Sequence, residues 1–115
     1  MTHGRDVQAE LAPLARQLRQ AIPDVYQGFA ALHGAALAPG ALDARAKELI
    51  ALALSVSKGC DGCIAAHARG CATQGATAEE VAEAIGVAIL MDGGPGTTYG
   101  PRAYAAFLEY ADSTA

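Results

Sequence analysis

The stretch from Asp43 to Gly59, DARAKELIALALSVSKG, constrains the fold most, because it has helix signals at both ends and an apolar middle. Asp43 is a favourable N-cap residue, and Gly59 suits the left-handed position that follows the last turn of a helix. From Leu49 to Val56 nearly every residue is apolar, so this helix has no face that suits water. The sequence therefore predicts a buried central helix on which other elements pack.

Helical patterns also lie on both sides of this segment, and no stretch shows the alternation of a strand. Pro23 suits the first turn of one helix, and the capping box TAEE, which starts at Thr77, suits the start of another. Glycine and proline in APGAL and MDGGPG indicate breaks between helices. We therefore expect an all-α fold, a single domain over residues 1–115 built as a compact bundle of about six helices. The predicted helices cover residues 6–21, 22–37, 43–59, 60–75, 77 to the break at 91–96, and 98–111.

The composition bears on the partners of such a bundle. Hydrophobic residues make up 52% of the chain and charged residues only 17%. So few surface charges predict that apolar faces are buried against copies of the same chain, and we expect a homo-oligomer. The net charge is −4 and the Lys and Arg residues do not cluster, which argues against a nucleic-acid partner.

Two further patterns bear on the compartment. The first ten residues, MTHGRDVQAE, lack the apolar core of a signal peptide. The longest uncharged run, residues 25–42, is interrupted by Gly28, Gly34, Pro39 and Gly40, which makes it a poor membrane helix. We therefore expect a soluble, cytoplasmic protein that does not bind a membrane.

All three cysteines and one histidine fall within KGCDGCIAAHARGC, from Lys58 to Cys71. Cysteine and histidine are common zinc ligands, so a zinc site is the first interpretation to test. If Cys63 and Cys71 lie on one helix, eight residues at ~1.5 Å each separate them by about 12 Å. Zinc–sulfur bonds of about 2.3 Å cannot bridge that distance. The spacing argues against a metal site, and we expect neither a metal nor another cofactor.

The same segment favours redox chemistry at its first two cysteines. In a reducing compartment a CxxC pair indicates redox or metal chemistry rather than a structural disulfide. Cys60 and Cys63 lie in a polar turn at a helix start, where the helix dipole and free N–H groups favour thiolate. His67 follows Cys63 by four residues, so it lies on the same helix face and can exchange the thiol proton. Cys71 fits core packing better.

Glu48 is a candidate third member of this site, because it is the last charged residue before the apolar part of the central helix. A carboxylate beside so apolar a stretch needs a partner, and a histidine on the next helix is a natural one. Glu48 would then orient His67, as the acid does in nucleophile–histidine–acid arrangements. The alternative is a solvated Glu48 that pairs with Lys47 or Arg45.

The other two histidines have no comparable pattern around them. His33 lies in an apolar, glycine-containing helix, and we interpret it as structural or as part of an interface. His3 lies near the start of the chain, where we expect a frayed terminus.

Together Glu48, Cys60, Cys63 and His67 form the pattern E-x11-C-x2-C-x3-H. This pattern and its surroundings, from about Leu42 to Tyr110, resemble the alkylhydroperoxidase-D-like proteins of the carboxymuconolactone decarboxylase superfamily. The resemblance implies an all-helical fold that assembles as trimers or hexamers. It also implies reduction of hydroperoxides by the cysteine pair, with a lipoyl group or a thioredoxin-like protein as the dithiol reductant.

Carried over position by position, the resemblance makes Cys63 the peroxide-attacking thiolate and Cys60 the resolving, more exposed cysteine. Glu48 and His67 would form the proton relay. The chain departs from the best-studied members at one place, because they have a histidine between the two cysteines, where this sequence has Asp61–Gly62. The CxxC pair argues against decarboxylation, because the decarboxylases proper generally lack it.

Three hypotheses about function follow from these residues. The first is a thiol peroxidase that reduces hydroperoxides, organic ones among them, and is recycled by an external dithiol. The second keeps the cysteine pair but acts on disulfides, as a disulfide reductase or redox relay. The third is a non-catalytic helical assembly module or redox sensor.

Overall fold

The computed structural model describes residues 2–114, and their six helices follow one another through short turns. No strand occurs in this part of the chain. The predicted all-α bundle of about six helices is therefore confirmed, although the predicted domain also includes Met1 and Ala115, which lie outside the described residues. The helices are α1 Arg5–Ala21, α2 Pro23–Leu37, α3 Ala44–Lys58, α4 Asp61–Thr73, α5 Ala78–Asp92 and α6 Gly94–Thr114.

The helix ends form where the sequence signals predict them. The Asp43 side chain accepts a hydrogen bond of 2.7 Å from the N–H of Ala46, which caps α3. Gly59 follows α3 with φ of 61°, a left-handed conformation that glycine adopts without steric cost. Thr77 and Glu80 form the predicted capping box at the start of α5, with reciprocal bonds of 3.1 and 2.9 Å.

The core lies between α3, α4, α5 and α6, which pack on one another. The central position predicted for α3 is confirmed, because this helix contacts the other three. The predicted complete burial of α3 is wrong, since Ile50 and Leu54 are about half exposed on the face that points away from the core. The larger buried side chains of the core are Leu52, Val56, Ile64, Cys71, Val81, Ile85, Phe107 and Tyr110.

The first two helices pack much less closely. In α2, all of which the structure describes, no residue is buried, and in α1 the one buried side chain of the helix is Val7. Apolar side chains three or four positions apart therefore face solvent along both helices. They are Leu11, Leu14, Leu18 and Ile22 from α1 and its end, and Val25, Phe29 and Leu32 from α2.

The last helix begins at Gly94 rather than at Thr98, so the predicted break is shorter than expected. Pro95 fits the first turn of a helix, where its missing N–H has no intrahelical partner to lose. At Gly96 an added Cβ would lie 2.9 Å from the Cα of Ile89, so glycine there lets α6 start close beside α5. The helix then continues to the end of the described chain. No helix among the described residues is long and apolar enough to cross a membrane.

Candidate active site at the cysteine pair

Cys60 and Cys63 are joined by a disulfide at the start of α4, with their Cα atoms 5.2 Å apart. Cys60 is the N-cap residue of this helix, and its sulfur accepts a hydrogen bond of 3.2 Å from the N–H of Cys63. The left-handed Gly59 makes the sharp turn that leads from α3 directly into the pair. Both cysteines are partly buried, so the pair lies where the helix N–H groups and solvent can reach it.

His67 and Glu48 are in contact, which is one of the two arrangements that the sequence left open for Glu48. The Nδ1 atom of His67 lies 3.2 Å from Oε2 of Glu48, and both side chains are largely buried, with 19% and 9% exposed. A carboxylate oxygen can only accept, so Nδ1 carries the hydrogen and Nε2 is left free to accept a proton. This is the tautomer that a general base beside a thiol needs.

The alternative partners of Glu48 are engaged elsewhere. Arg45 forms an ion pair of 3.4 Å with Glu80, and the Lys47 ammonium donates a hydrogen bond of 2.5 Å to the carbonyl of Ala38. The interpretation of Glu48 as a solvated surface residue is therefore wrong. Its carboxylate is buried against His67, which supplies the charge-assisted hydrogen bond that burial requires.

Gly70 makes room for this carboxylate, and the sequence reasoning did not identify it. A Cβ at position 70 would lie 1.6 Å from Oε2 of Glu48 and 2.3 Å from its Cδ. The available signal was a glycine within an otherwise helix-favouring stretch, which costs about 1 kcal/mol relative to alanine and so points to a close approach. Glu48, His67 and Gly70 therefore form one packed arrangement between α3 and α4.

A shallow groove of about 220 Å³ brings Cys63 and His67 together on one surface. Most of the rest of its lining is apolar, with Ala51 and Leu54 from α3, whereas Lys58 contributes a cation at the end of that helix. The Ser55 hydroxyl, which also lines the groove, donates to the carbonyl of Ala51 at 2.7 Å. The groove therefore offers an apolar surface beside one sulfur, one imidazole and one ammonium group.

A second cleft, of about 320 Å³, lies on another side of His67 and is more polar. His67 is the one described residue that lines both this cleft and the groove. Glu48 also lines the cleft, as does His33 of α2, whose ring stacks on His67 with the centroids 6.0 Å apart. The sequence did not place His33 near this site, because no local pattern encodes a contact between α2 and α4. The other lining residues are Gln8, Ala66, Arg69, Gly70, Thr73 and Gln74.

Cys71 lies apart from this chemistry, as predicted, because it is fully buried in the core. Burial, together with the negative charges of Glu48 and Glu80, raises the pKa of the Cys71 thiol to about 12. A thiol with that pKa is neither a nucleophile nor a ready metal ligand at neutral pH. Within residues 2–114 no group of three or more His, Cys, Asp or Glu side chains is arranged to hold a metal ion.

Comparison with known families gives one match that covers most of the chain. The model of the carboxymuconolactone decarboxylase family matches residues 23–112, which include Glu48, Cys60, Cys63, His67 and Gly70. Two uncharacterized bacterial proteins are similar in sequence. One, from Cupriavidus necator, is 41% identical over an alignment of 105 residues that covers 89% of this chain and 93% of that protein. The other, from the cox locus of Paracoccus denitrificans, is 41% identical over 81 residues, or 70% of this chain and 73% of that one.

Two crystal structures share the fold. A carboxymuconolactone decarboxylase family protein from Legionella pneumophila, solved in its apo form, superposes with a TM-score of 0.82 at 40% identity. The match covers 95% of this chain and 94% of that protein. A protein from Thermotoga maritima superposes with a TM-score of 0.75 at 30% identity, covering 86% and 93% of the two chains.

Proposed function

The chain belongs to the carboxymuconolactone decarboxylase family, and we propose that it acts as a thiol-dependent peroxidase on organic hydroperoxides. One observation carries the proposal. Cys63 shares a groove with His67, whose far nitrogen is held by the buried Glu48, while Cys60 is within disulfide distance of Cys63. This arrangement supplies a nucleophile, a base oriented by an acid, and a second thiol that removes the oxidised product.

In the first step His67 takes the proton of the Cys63 thiol at Nε2, while its Nδ1–H remains hydrogen-bonded to Glu48. The Cys63 thiolate then attacks the terminal, hydrogen-bearing oxygen of the hydroperoxide, so that an S–O bond forms as the O–O bond breaks. The imidazolium of His67 returns the proton to the departing alkoxide. The products are an alcohol and a sulfenic acid on Cys63.

In the second step the thiol of Cys60 attacks the Cys63 sulfur and water leaves, which forms the disulfide between the two residues. An external dithiol then reduces this disulfide by thiol–disulfide exchange and is itself oxidised to a disulfide. Overall one hydroperoxide and one dithiol become one alcohol, one water and one disulfide. We propose a lipoyl group or a thioredoxin-like protein as the reductant, because both present a dithiol.

The groove supports organic rather than inorganic peroxide as the substrate. Ala51 and Leu54 offer an apolar surface beside Cys63, and Leu54 is about half exposed, so an alkyl substituent could bury its surface there. Each buried CH₂ contributes about 0.8 kcal/mol to binding. Hydrogen peroxide gains nothing from this surface, and we therefore expect a lower kcat/KM for it.

The residue at position 62 bears on which group transfers the proton of the Cys63 thiol. The histidine that the family resemblance leads one to expect between the cysteines is replaced there by Gly62. A Cβ at this position would lie 3.0 Å from Cδ1 of Leu11, so α1 covers it. Proton transfer at Cys63 would therefore depend on His67.

A second candidate function is the reduction of disulfides in proteins or small molecules. It is favoured by the position of the disulfide at the partly exposed start of α4, where a partner thiol can approach. Turnover with a hydroperoxide and with a small disulfide, measured with the same reductant, would distinguish the two functions. If the protein turns over neither substrate, and peroxide forms no disulfide between its cysteines, the result would support a non-catalytic assembly module.

We further propose that the protein is a homo-oligomer, a trimer or a hexamer, and that it works in the cytoplasm. The exposed apolar residues of α1 and α2 support self-association, since an apolar stripe of this length is unfavourable in water. The cytoplasm would supply the reductant, because its thiols are kept reduced.

The proposed peroxidase is tested by measuring cumene hydroperoxide consumption with dihydrolipoamide as the reductant. We expect turnover by the parent protein and a loss of about 10²-fold or more in Cys63→Ser, which has no thiolate nucleophile. Cys71→Ser is the matched control, because it also removes one thiol, from a residue outside the groove. If Cys63→Ser consumes hydroperoxide as fast as the parent, the proposal is wrong.

A further inference from the structure

The ring of His33 lies almost parallel to that of His67, with an angle of 17° between the planes and 6.0 Å between the centroids. We propose that His33 is a positioning residue for the reaction at Cys63, because its ring restricts the orientation of the His67 imidazole. This inference rests on the proposed role of His67 as the base for Cys63.

The hydrogen bond to Glu48 does not by itself fix the plane of the His67 ring. It holds Nδ1 at 3.2 Å from Oε2, but small combined changes in χ1 and χ2 can still tilt the ring. Nε2 lies on the opposite edge, so tilting moves the atom that must meet the thiol. A flat neighbour against one face of the ring restricts this motion.

His33 has a second aromatic neighbour on its own helix. The ring of Phe29, one turn earlier on α2, lies 6.1 Å from that of His33 at an angle of 49°. The three rings thus form a row that runs from α2 to the base on α4 and ends at the carboxylate of α3. Offset and tilted arrangements of this kind are the favourable ones for aromatic rings.

The row of rings affects Cys63 because His67 lies between the two cavities. His67 lines the groove that contains Cys63 and also the polar cleft that contains His33. A change made on the cleft side therefore reaches the reacting sulfur through the orientation of one ring. His33 itself does not line the groove, so it acts through His67 rather than on substrate.

The test measures the reactivity of Cys63 directly, without a peroxide. In the reduced Cys60→Ser background, where Cys71 is buried, iodoacetamide reports on the Cys63 thiolate. We expect His33→Ala to lower the alkylation rate at pH 7 by about tenfold. A positioned base raises a reaction rate by ~10²–10⁴-fold, and only part of this gain is lost when the base remains but its orientation is less restricted. His33→Phe keeps a flat ring at this place, and we expect it to retain at least about half of the parent rate.

Two controls make the result specific. His3→Ala removes a histidine that lies outside both cavities, and we expect the parent rate. The NMR signals of the His67 imidazole should report one fixed ring orientation in the parent and in His33→Phe, and averaging over several orientations in His33→Ala. Circular dichroism confirms that each variant keeps its helices.

The inference is overturned if His33→Ala reacts like the parent, since the contact would then be incidental. It is also overturned if His33→Phe is as slow as His33→Ala, because a ring that only positions His67 should be replaceable by another ring. Hydroperoxide consumption by the same variants is measured separately. A parent that alkylates at Cys63 but does not consume hydroperoxide counts against the peroxidase and leaves the His33 comparison valid.

Discussion

Glu48 occupies the space in which a side chain at position 70 would lie, since a Cβ on Gly70 would approach its Oε2 to 1.6 Å. The acid and the glycine are 22 residues apart in the sequence (70 minus 48) and meet because α3 and α4 pack closely. The carboxylate is thereby held against His67, 3.2 Å from Nδ1. Gly70 thus belongs to the site as much as the four residues of the sequence pattern do, although it has no functional group.

Gly70→Ala should therefore displace Glu48 and impair the site. We expect a loss of about 1–3 kcal/mol in the free energy of unfolding, as for overpacked cores, and a lower alkylation rate at Cys63. Gly86→Ala is a matched control, because Gly86 is also within a helix but a Cβ there would meet nothing within 4 Å. That variant should be more stable by about 0.4–1 kcal/mol. Equal stability changes in the two variants would contradict the close approach at Gly70.

Substitution of the proton relay should have graded effects on hydroperoxide turnover. Glu48→Gln keeps an acceptor for Nδ1 of His67 but removes the charge, and we expect a loss of about tenfold. His67→Gln removes the base, and we expect a loss of about 10²-fold or more. Steady-state kinetics with cumene hydroperoxide would measure both. A larger loss in the Glu48 variant than in the His67 variant would contradict the order of roles, because Glu48 acts only through the imidazole.

The ends of the helices and the central position of α3 could be predicted because their signals are local. Asp43, Gly59 and the Thr77–Glu80 box each act on backbone groups a few residues away, and all formed as expected. The start of α6 at Gly94 was missed, because its glycines were interpreted as a break. At Gly96 the structure instead uses glycine for close helix packing, which depends on α5 and not on local sequence.

The site residues divide in the same way. The spacing of Cys63 and His67 on one helix follows from the helical repeat. The cost of burying a carboxylate indicated His67 as one of two alternatives for Glu48, and only the packing of α3 on α4 decides between them. His33 and Gly70 were not recognised, because their roles arise from contacts of α2 with α4 and of α3 with α4. Such contacts depend on how the helices pack, and a single sequence does not specify that.

The buried Cys71 should make the stability of the protein depend on pH in alkaline solution. Burial and the charges of Glu48 and Glu80 raise the pKa of this thiol from 9.0 to about 12. The unfolded chain releases the proton from about pH 9, while the folded chain retains it. The stability that the neutral thiol contributes is therefore fully present below pH 9 and is lost progressively between pH 9 and 12.

This effect can be measured by urea unfolding at pH 8 and pH 10. The parent should lose about 1 kcal/mol between these values because of Cys71. Cys71→Ala should be less stable than the parent at both pH values. Its free energy of unfolding should not show the decrease of about 1 kcal/mol between pH 8 and pH 10 that Cys71 causes in the parent. Tyr110, whose pKa is also raised by burial, contributes in the same direction at higher pH, so Tyr110→Phe is a useful control. An equal decrease in the parent and in Cys71→Ala would contradict the raised thiol pKa.

Self-association through α2 predicts that one charge on its apolar side disrupts the assembly. Val25 is 64% exposed and lies in line with Phe29 and Leu32. Val25→Glu should give a species of lower mass by light scattering, because a carboxylate cannot be buried in an apolar interface without a partner. Gln27→Glu adds the same charge to another side of α2 and should leave the mass unchanged. A parent that is monomeric at all concentrations would contradict the proposed oligomer.

In the proposed reaction the Cys63 thiolate reduces the hydroperoxide, and Cys60 then resolves the sulfenic acid on Cys63. These roles are tested most directly by mixing the reduced protein with one equivalent of cumene hydroperoxide and mapping the products by mass spectrometry. One equivalent of alcohol should form, and the protein should lose the mass of two hydrogen atoms, with the new bond between Cys60 and Cys63. In Cys60→Ser a sulfenic acid should form on Cys63 and be trapped by dimedone. Two results would contradict these roles. One is a dimedone adduct on Cys60 in Cys63→Ser that forms as fast as the adduct on Cys63 in Cys60→Ser. The other is hydroperoxide that remains unreacted with the fully reduced parent.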